Sequence, residues 1–267
     1  MAGIPAPANL LAELAEWEKV VEMNGLRLMV VGATGVIGGE VTAAAAARRV
    51  RVAVAGRDLD RLARAAQRMG AGQGEVFDAY DLESCRALAA RAAERIGSLN
   101  AVLVAVGAIA FGRTGEVPLA VQEHLMTVNT LAPMAVLEGA LPVVGPGGAI
   151  GALTGVVVDR PFPGTAAYRT SKAVLAAWLE AVWAEYRRER VTVLDARLPH
   201  LDTGFTLRPL SGTAPPLPPG AARETWVSAV LDGLLHGAAV LRPEGPNARP
   251  LHSPGPTDAA TRLRGGG

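Results

Sequence analysis

Short apolar runs alternate with helix-period segments along most of the chain. Residues 26–31 form the first run and end in Gly32-Ala33-Thr34-Gly35-Val36-Ile37-Gly38-Gly39, after which an alanine-rich stretch, 40–48, has helical character. Residues 50–55 form a second apolar run that closes on Gly56-Arg57-Asp58. The pattern then predicts helix 59–69, a short strand at 75–77, helix 82–96, strand 99–106, helix 119–141, strand 148–153, helix 166–188 and strand 191–196. Helix 222–236 and a short strand at 238–241 complete the series. Strands alternating with helices in this way predict an α/β fold, a doubly wound parallel sheet with helices on both faces. About seven strands are expected.

The alternation has no break before residue 204, so residues 24–242 read as one domain. Ahead of it, 1–8 are small and Pro-rich, and Leu10, Leu14, Trp17 and Val21 follow a helical spacing. Residues 1–23 therefore read as a helical extension, and an oligomer contact, a packing arm and an over-extended start fit it equally. Residues 204–220, rich in Pro, Thr and Ser, follow a strand whose end borders the expected ligand crevice. They are a substrate lid or a plain connection, and the lid is the reading adopted. The Pro- and Gly-rich residues 243–267 are expected to be disordered.

Bulk chemistry narrows the function classes. Half of the 267 residues are hydrophobic and 19% are charged, which predicts a sizeable core. A net charge of +1 gives no electrostatic case for nucleic acid or an anionic membrane. Cys85 is the single cysteine, which excludes an internal disulfide and suits a reducing, cytoplasmic setting. His124, His200, His236 and His252 are scattered without ligand spacing, so no metal is expected. No run of 18 apolar residues suggests a membrane span.

Two stretches carry candidate chemistry. The first is the glycine turn between a strand and a helix, whose backbone amides can approach a pyrophosphate while the helix N-terminus favours its charge. At the end of the second strand a carboxylate would bind a ribose 2′-hydroxyl, whereas an Arg accommodates a 2′-phosphate. Gly56 leaves no carboxylate there and Arg57 follows, which favours NADP(H) over NAD(H). Asp58 is either a ribose contact or the cap of the next helix. The second stretch is Tyr168-Arg169-Thr170-Ser171-Lys172. Residues four apart share a helix face, and an ammonium near a phenol favours the phenolate. Lys19 and Lys172 are the only lysines among 26 basic residues, so a point charge has been kept where the chain otherwise uses Arg.

Glycine turn, Arg57, Asp78, Asn129 and Tyr168-x-x-x-Lys172 stand in an order and spacing that resemble the short-chain dehydrogenase/reductase family over residues 24–242. The resemblance implies a Rossmann-like, single-domain oxidoreductase. It implies that Gly32, Thr34, Gly35, Val36, Ile37 and Gly38 hold the cofactor phosphates, Arg57 the 2′-phosphate and Asp78 the adenine, with Gly107 at the following turn. Tyr168 becomes the acid/base, Lys172 the residue that lowers its pKa and grips the nicotinamide ribose, and Asn129 the orderer of a relay water. Pro199 and Thr203 then border the nicotinamide. By analogy with the family's helices, a homodimer or homotetramer is expected.

The departures from the family pattern are specific. Val36 stands where the common branch has a second glycine. The family's serine position, thirteen residues before Tyr168, is Gly155, and Thr154 is the neighbouring hydroxyl expected to fill the serine role. Ala105 and Val106 replace the usual Asn-Ala ahead of Gly107. His200 replaces a glycine, either touching substrate or packing beneath the lid. Phe111, Gly155, Phe162, His200, Phe205 and Leu207 are the expected substrate walls. These features predict an NADP(H)-dependent carbonyl reductase or alcohol dehydrogenase for a largely apolar small molecule, cyclic ones included. A redox-neutral cyclase, dehydratase or epimerase on the same scaffold, and a non-catalytic NADP(H) sensor, are the alternatives.

Overall fold

A computed structural model describes residues 25–68, 74–245 and 248–253. The expected extension at 1–23 and the tail from 254 onward lie outside the described residues. Five-residue strand β1 (Arg27–Val31) leads into α1 (Val36–Ala47), then β2 (Arg51–Gly56), α2 (Leu59–Arg68) and the two-residue β3 (Glu75–Val76). Next come α3 (Leu82–Ile96), β4 (Ala101–Val104), α4 (Leu119–Met126), α5 (Ala132–Val144), β5 (Ala149–Leu153), α6 (Ala166–Tyr186) and β6 (Thr192–Ala196). The described chain closes with α7 (Arg223–His236), β7 (Val240–Glu244) and β8 (Arg249–Ser253).

All strands form one sheet in the order β3-β2-β1-β4-β5-β6-β7-β8. The first seven are mutually parallel, and β8 returns antiparallel to β7, with Leu241 opposite His252. The expected fold class is therefore present, with eight strands among the described residues where about seven were expected. The eighth corrects the reading of residues 243–267 as disordered throughout. Pro243 and Pro250 face each other in this edge hairpin, a place where the sheet tolerates a missing N–H donor.

Alternation along the strands builds both faces. In β1, Met29 and Val31 enter one core with Leu88, Val136 and Leu137, while Leu28 and Val30 enter the other with Val41, Trp226 and Val230. A strand buried on both faces loses polar positions, which is why the apolar runs were legible. Order reverses between β1, β2 on one side and β4 on the other, so a crevice opens beyond their C-terminal ends. One side of that crevice carries the turn from β1 to α1; the other carries the ends of β4, β5 and β6.

The segment expected as a single helix over 119–141 is α4 and α5 joined by a π-helical turn, Thr127–Leu131, which reaches Val144. Leu119–Val144 is long and apolar enough to cross a membrane by length and composition, and half of its apolar window is buried within the protein. Residues 204–220 hold no helix or strand, but they are tied down. Phe111 N donates to Ser211 O and Leu210 N to Ile109 O, each at 2.8 Å.

Candidate functional site

At the β1–α1 turn the backbone is closely folded. Gly32 has φ +92°, and a Cβ on Gly38 would stand 2.4 Å from the Gly32 carbonyl, so the start of α1 presses onto the turn. Gly35 is the N-cap of α1, and no side chain caps the first-turn amides. Val36 is exposed, Ile37 half-buried and Gly38 buried. Orphan amides at a helix N-terminus, in a cradle that only glycine permits, fit a phosphate group. A cleft of about 300 Å³ lies here, lined by Ala33, Thr34, Gly35, Gly39, Arg61 and Arg64.

The end of β2 supports the same fit. A Cβ on Gly56 would meet Thr34 Cγ2 at 3.0 Å, leaving little room for an acidic side chain. Arg57 is exposed just beyond. Asp58 Oδ1 accepts from Arg61 N at 2.9 Å, the capping role of the two left open for it. Arg61 in turn donates to the Thr34 carbonyl at 2.9 Å. Asp78 is exposed and accepts from Tyr80 N at 3.0 Å, while Asp81 caps α3 by accepting from Ser84 N.

Tyr168 and Lys172 lie one turn apart on α6 and meet the crevice from the β5 side. Lys172 is 3% exposed, and its Nζ donates to Leu153 O at 2.9 Å and to Val106 O at 3.4 Å. The ammonium thereby caps the carbonyl ends of β5 and of the segment after β4. Burial lowers the Lys172 amine to about 8, against an opposing pull from Asp195. Burial raises the Tyr168 phenol well above its ordinary value. The expectation that Lys172 lowers the Tyr168 pKa is corrected for this geometry: desolvation dominates, and the ammonium is engaged with backbone carbonyls.

Asn129 sits in the π-helical turn, fully buried. Its Oδ1 accepts from Ala108 N at 2.8 Å, and its Nδ2 donates to Ala108 O and to Ser171 Oγ, each at 2.9 Å. A Cβ on Gly107 would stand 3.4 Å from both Asn129 Oδ1 and Lys172 Nζ. The Asn129 side chain is thus a clamp between the segment after β4 and α6, close to Lys172.

The hydroxyl expected from Thr154 is spoken for. Thr154 is buried, and its Oγ1 donates to Asp195 Oδ1 in β6. Asp195, 3% exposed, also accepts from Arg197 Nε at 2.7 Å, and Arg197 reaches Asp159 at 2.5 Å. A hydroxyl has one proton to donate, so Thr154 in this arrangement offers none to a substrate. Position 155, where the resemblance expects a serine, lies near the phenol: a Cβ built on Gly155 would lie 4.0 Å from Tyr168 Oη and 3.7 Å from Leu198 O.

The expected walls divide. Phe205 covers Tyr168, with ring centroids 6.3 Å apart, and Phe111 is buried beneath the 204–220 segment. His200 faces Asp202 at 3.2 Å, and Asp202 also accepts from Gly220 N, so His200 belongs to the base of that segment. Phe162 is 42% exposed and Leu207 81%, and neither forms a closed wall. Pro199 and Thr203 are half-buried at the end of β6, and Thr203 Oγ1 accepts from Phe205 N at 3.3 Å.

Arg61, Arg64 and Asp195 are site residues that the sequence reading missed. Arg61 and Arg64 stand three apart in the first turns of α2, a spacing that keeps both near one helix face. Asp195 interrupts an otherwise apolar strand, and a lone acid in a buried strand signals a partnered charge.

A family model described as short chain dehydrogenase matches residues 27–208. A 1-hydroxy-2-glutathionyl-2-methyl-3-butene dehydrogenase of a Rhodococcus strain is 31% identical over 99 residues, 36% of this chain and 44% of that protein. A fatty acyl-CoA reductase of Mycobacterium tuberculosis is 27% identical over 185 residues, 64% of this chain and 61% of that one. The chain thus matches about half the length of these curated relatives. Among solved structures, a short-chain type dehydrogenase/reductase of Mycobacterium ulcerans superposes with a TM-score of 0.71 at 20% identity, over 79% of this chain and 84% of that one. A dehydrogenase/reductase of Sinorhizobium meliloti gives 0.70 at 20% identity, over 83% and 93%. At that identity the structures speak for the fold alone.

Proposed function

The chain belongs to the short-chain dehydrogenase family, an oxidoreductase family that uses nicotinamide cofactors, and on that premise we propose that it is an NADP(H)-dependent oxidoreductase, a reductase of ketones or aldehydes or a dehydrogenase of the matching alcohols. The observation that carries the reading is Lys172, buried at the C-terminal edge of the sheet with Nζ on Leu153 O, one helical turn from the Tyr168 phenol. Burying an ammonium is costly, and beyond capping two carbonyls a role in proton chemistry accounts for one kept there.

Gly32, Gly35 and the amides of Val36, Ile37 and Gly38 would hold the pyrophosphate, and Arg57, Arg61 and Arg64 would meet a 2′-phosphate. Arg61 and Arg64 in the cleft, with exposed Arg57 directly after Gly56, support NADP(H) over NAD(H). When bound, the cofactor supplies or accepts hydride at the substrate carbon. Tyr168 gives its proton to the carbonyl oxygen in reduction and takes it back in oxidation. Lys172 donates to the ribose, and Asn129 fixes the wall against which it is set. Phe205 and the 204–220 segment exclude water from the phenol, and their apolar faces favour an apolar substrate.

A redox-neutral use of the scaffold has one observation in its favour, the commitment of the Thr154 hydroxyl to Asp195 beside a glycine at 155. The test is to incubate the protein with NADPH and a panel of cyclic and linear carbonyl compounds while following nicotinamide absorbance and product together. One NADPH consumed per product, abolished in Tyr168→Phe, is expected. Product without NADPH loss would establish the redox-neutral reading instead.

A further inference from the structure

We propose, resting on the reductase reading above, that the position bounded by Gly155, Leu198 and Tyr168 takes an O–H donor from outside the described residues' side chains: water, or a hydroxyl on the carbon next to the substrate carbonyl. Two independent observations lead there. The hydroxyl that ends β5, Thr154 Oγ1, is committed to buried Asp195, itself fixed by Arg197. The next position, Gly155, has no side chain, and a Cβ there would be, its chain neighbours aside, in ordinary van der Waals contact with Leu198 O at 3.7 Å, Val157 Cγ1 at 3.9 Å and Tyr168 Oη at 4.0 Å. The glycine thus leaves unfilled a place that a side-chain atom would take without a clash, beside two polar groups, a carbonyl and a phenol.

Such a donor would favour the chemistry. In reduction the carbonyl π electrons move onto oxygen as a C–H bond forms with hydride from the reduced nicotinamide. Tyr168 transfers its proton to that oxygen, giving the alcohol and leaving phenolate. A second O–H beside it stabilises the developing charge by a hydrogen bond and keeps its own proton. A water can do this with one hydrogen while giving the other to Leu198 O, which already accepts from Val156 N and has a lone pair left. A substrate hydroxyl on the adjacent carbon does it from within the substrate.

Gly155→Ala and Gly155→Ser test the proposal as a matched pair. Gly155 has φ +147°, so both carry the same backbone strain, and they differ by one hydroxyl. Each is compared with wild type in binding of a cyclic ketone and its 2-hydroxy derivative, by calorimetry in the presence of NADP⁺, and in turnover with NADPH. A tenfold or larger wild-type preference for the hydroxy ketone in both readouts, lost in Gly155→Ser, identifies the substrate hydroxyl. Equal treatment of the ketones, with turnover at least tenfold lower in Gly155→Ala than in Gly155→Ser, identifies water. Indistinguishable ketones together with indistinguishable variants overturn the proposal and leave the reductase reading standing. Wild type that binds NADPH yet consumes no carbonyl compound defeats both. Should neither variant fold, a crystal structure of wild type with NADP⁺ and ketone decides: an oxygen within hydrogen-bond distance of Leu198 O supports the proposal, and an apolar group there overturns it.

Discussion

A Cβ built on Gly155 would stand 4.0 Å from the hydroxyl of Tyr168, whereas the Thr154 hydroxyl next to it is held by Asp195. The residue that aligns with the expected donor by chemistry is therefore separate from the one that aligns by position. Thr154→Val separates the two roles. It leaves an Asp195 lone pair unsatisfied in a buried place, which costs about 1–3 kcal/mol of stability. It is expected to change kcat by less than tenfold, because the lost hydroxyl did not face the reacting oxygen. A fall on the order of 10²–10³ in kcat with unchanged melting temperature would reinstate Thr154 as the oxyanion donor.

Lys172 makes stability depend on pH in a defined direction. Its amine titrates at about 8 in the folded protein, against an ordinary value of 10.5. Between these values the unfolded chain holds a proton that the folded one has released, so stability rises with pH. Summed over that interval the gain is about 3 kcal/mol at ~1.4 kcal/mol per unit. Cys85, pushed up to about 11, and Tyr168, also raised by burial, act oppositely at higher pH. Both are common to wild type and Lys172→Met, so the difference between their urea-denaturation stabilities isolates Lys172. The variant is expected to gain most below pH 8 and to lose its advantage towards pH 10.5. A difference independent of pH would contradict the lowered amine.

Arg61 bridges the two parts of the phosphate cleft, donating to Thr34 O while its own amide is capped by Asp58. Arg61→Ala is expected to weaken NADPH about 10- to 100-fold, the loss of one charge-assisted hydrogen bond, and to leave NADH nearly unchanged. Fluorescence titration of both cofactors reads the difference. Equal losses for the two would assign Arg61 to the shared pyrophosphate.

Phe205 lies on Tyr168, and an aromatic contact of this kind contributes about 0.5–1.5 kcal/mol beyond its buried area. Phe205→Ala admits solvent to the phenol, so the Tyr168 pKa is expected to fall towards its ordinary value. Ultraviolet titration of the three tyrosines checks this, with Tyr168→Phe identifying the relevant step. No movement of that step would show that the burial arises elsewhere.

The sheet was legible because β1, β2, β4, β5 and β6 are buried on both faces and read as apolar runs. β8 was not, since Arg249-Pro250-Leu251-His252-Ser253 is half-exposed at the edge and carries a proline. The π-helical turn at Asn129 left no trace in periodicity, because one extra residue per turn shifts the apolar face without removing it. The glycine cradle and the Tyr168–Lys172 pair followed from spacing, which local geometry preserves. Who holds the Thr154 hydroxyl did not, because Asp195 is 41 residues away and meets it only through the β5–β6 register.

Titration of the purified protein with NADPH and with NADH, followed by nicotinamide fluorescence, tests the central claim most directly. The account predicts tight NADPH binding and NADH weaker by at least about tenfold, the worth of one phosphate contact. Equal or tighter NADH binding would contradict the assignment of Arg57, Arg61 and Arg64 to a 2′-phosphate, and binding of neither would contradict the oxidoreductase site itself.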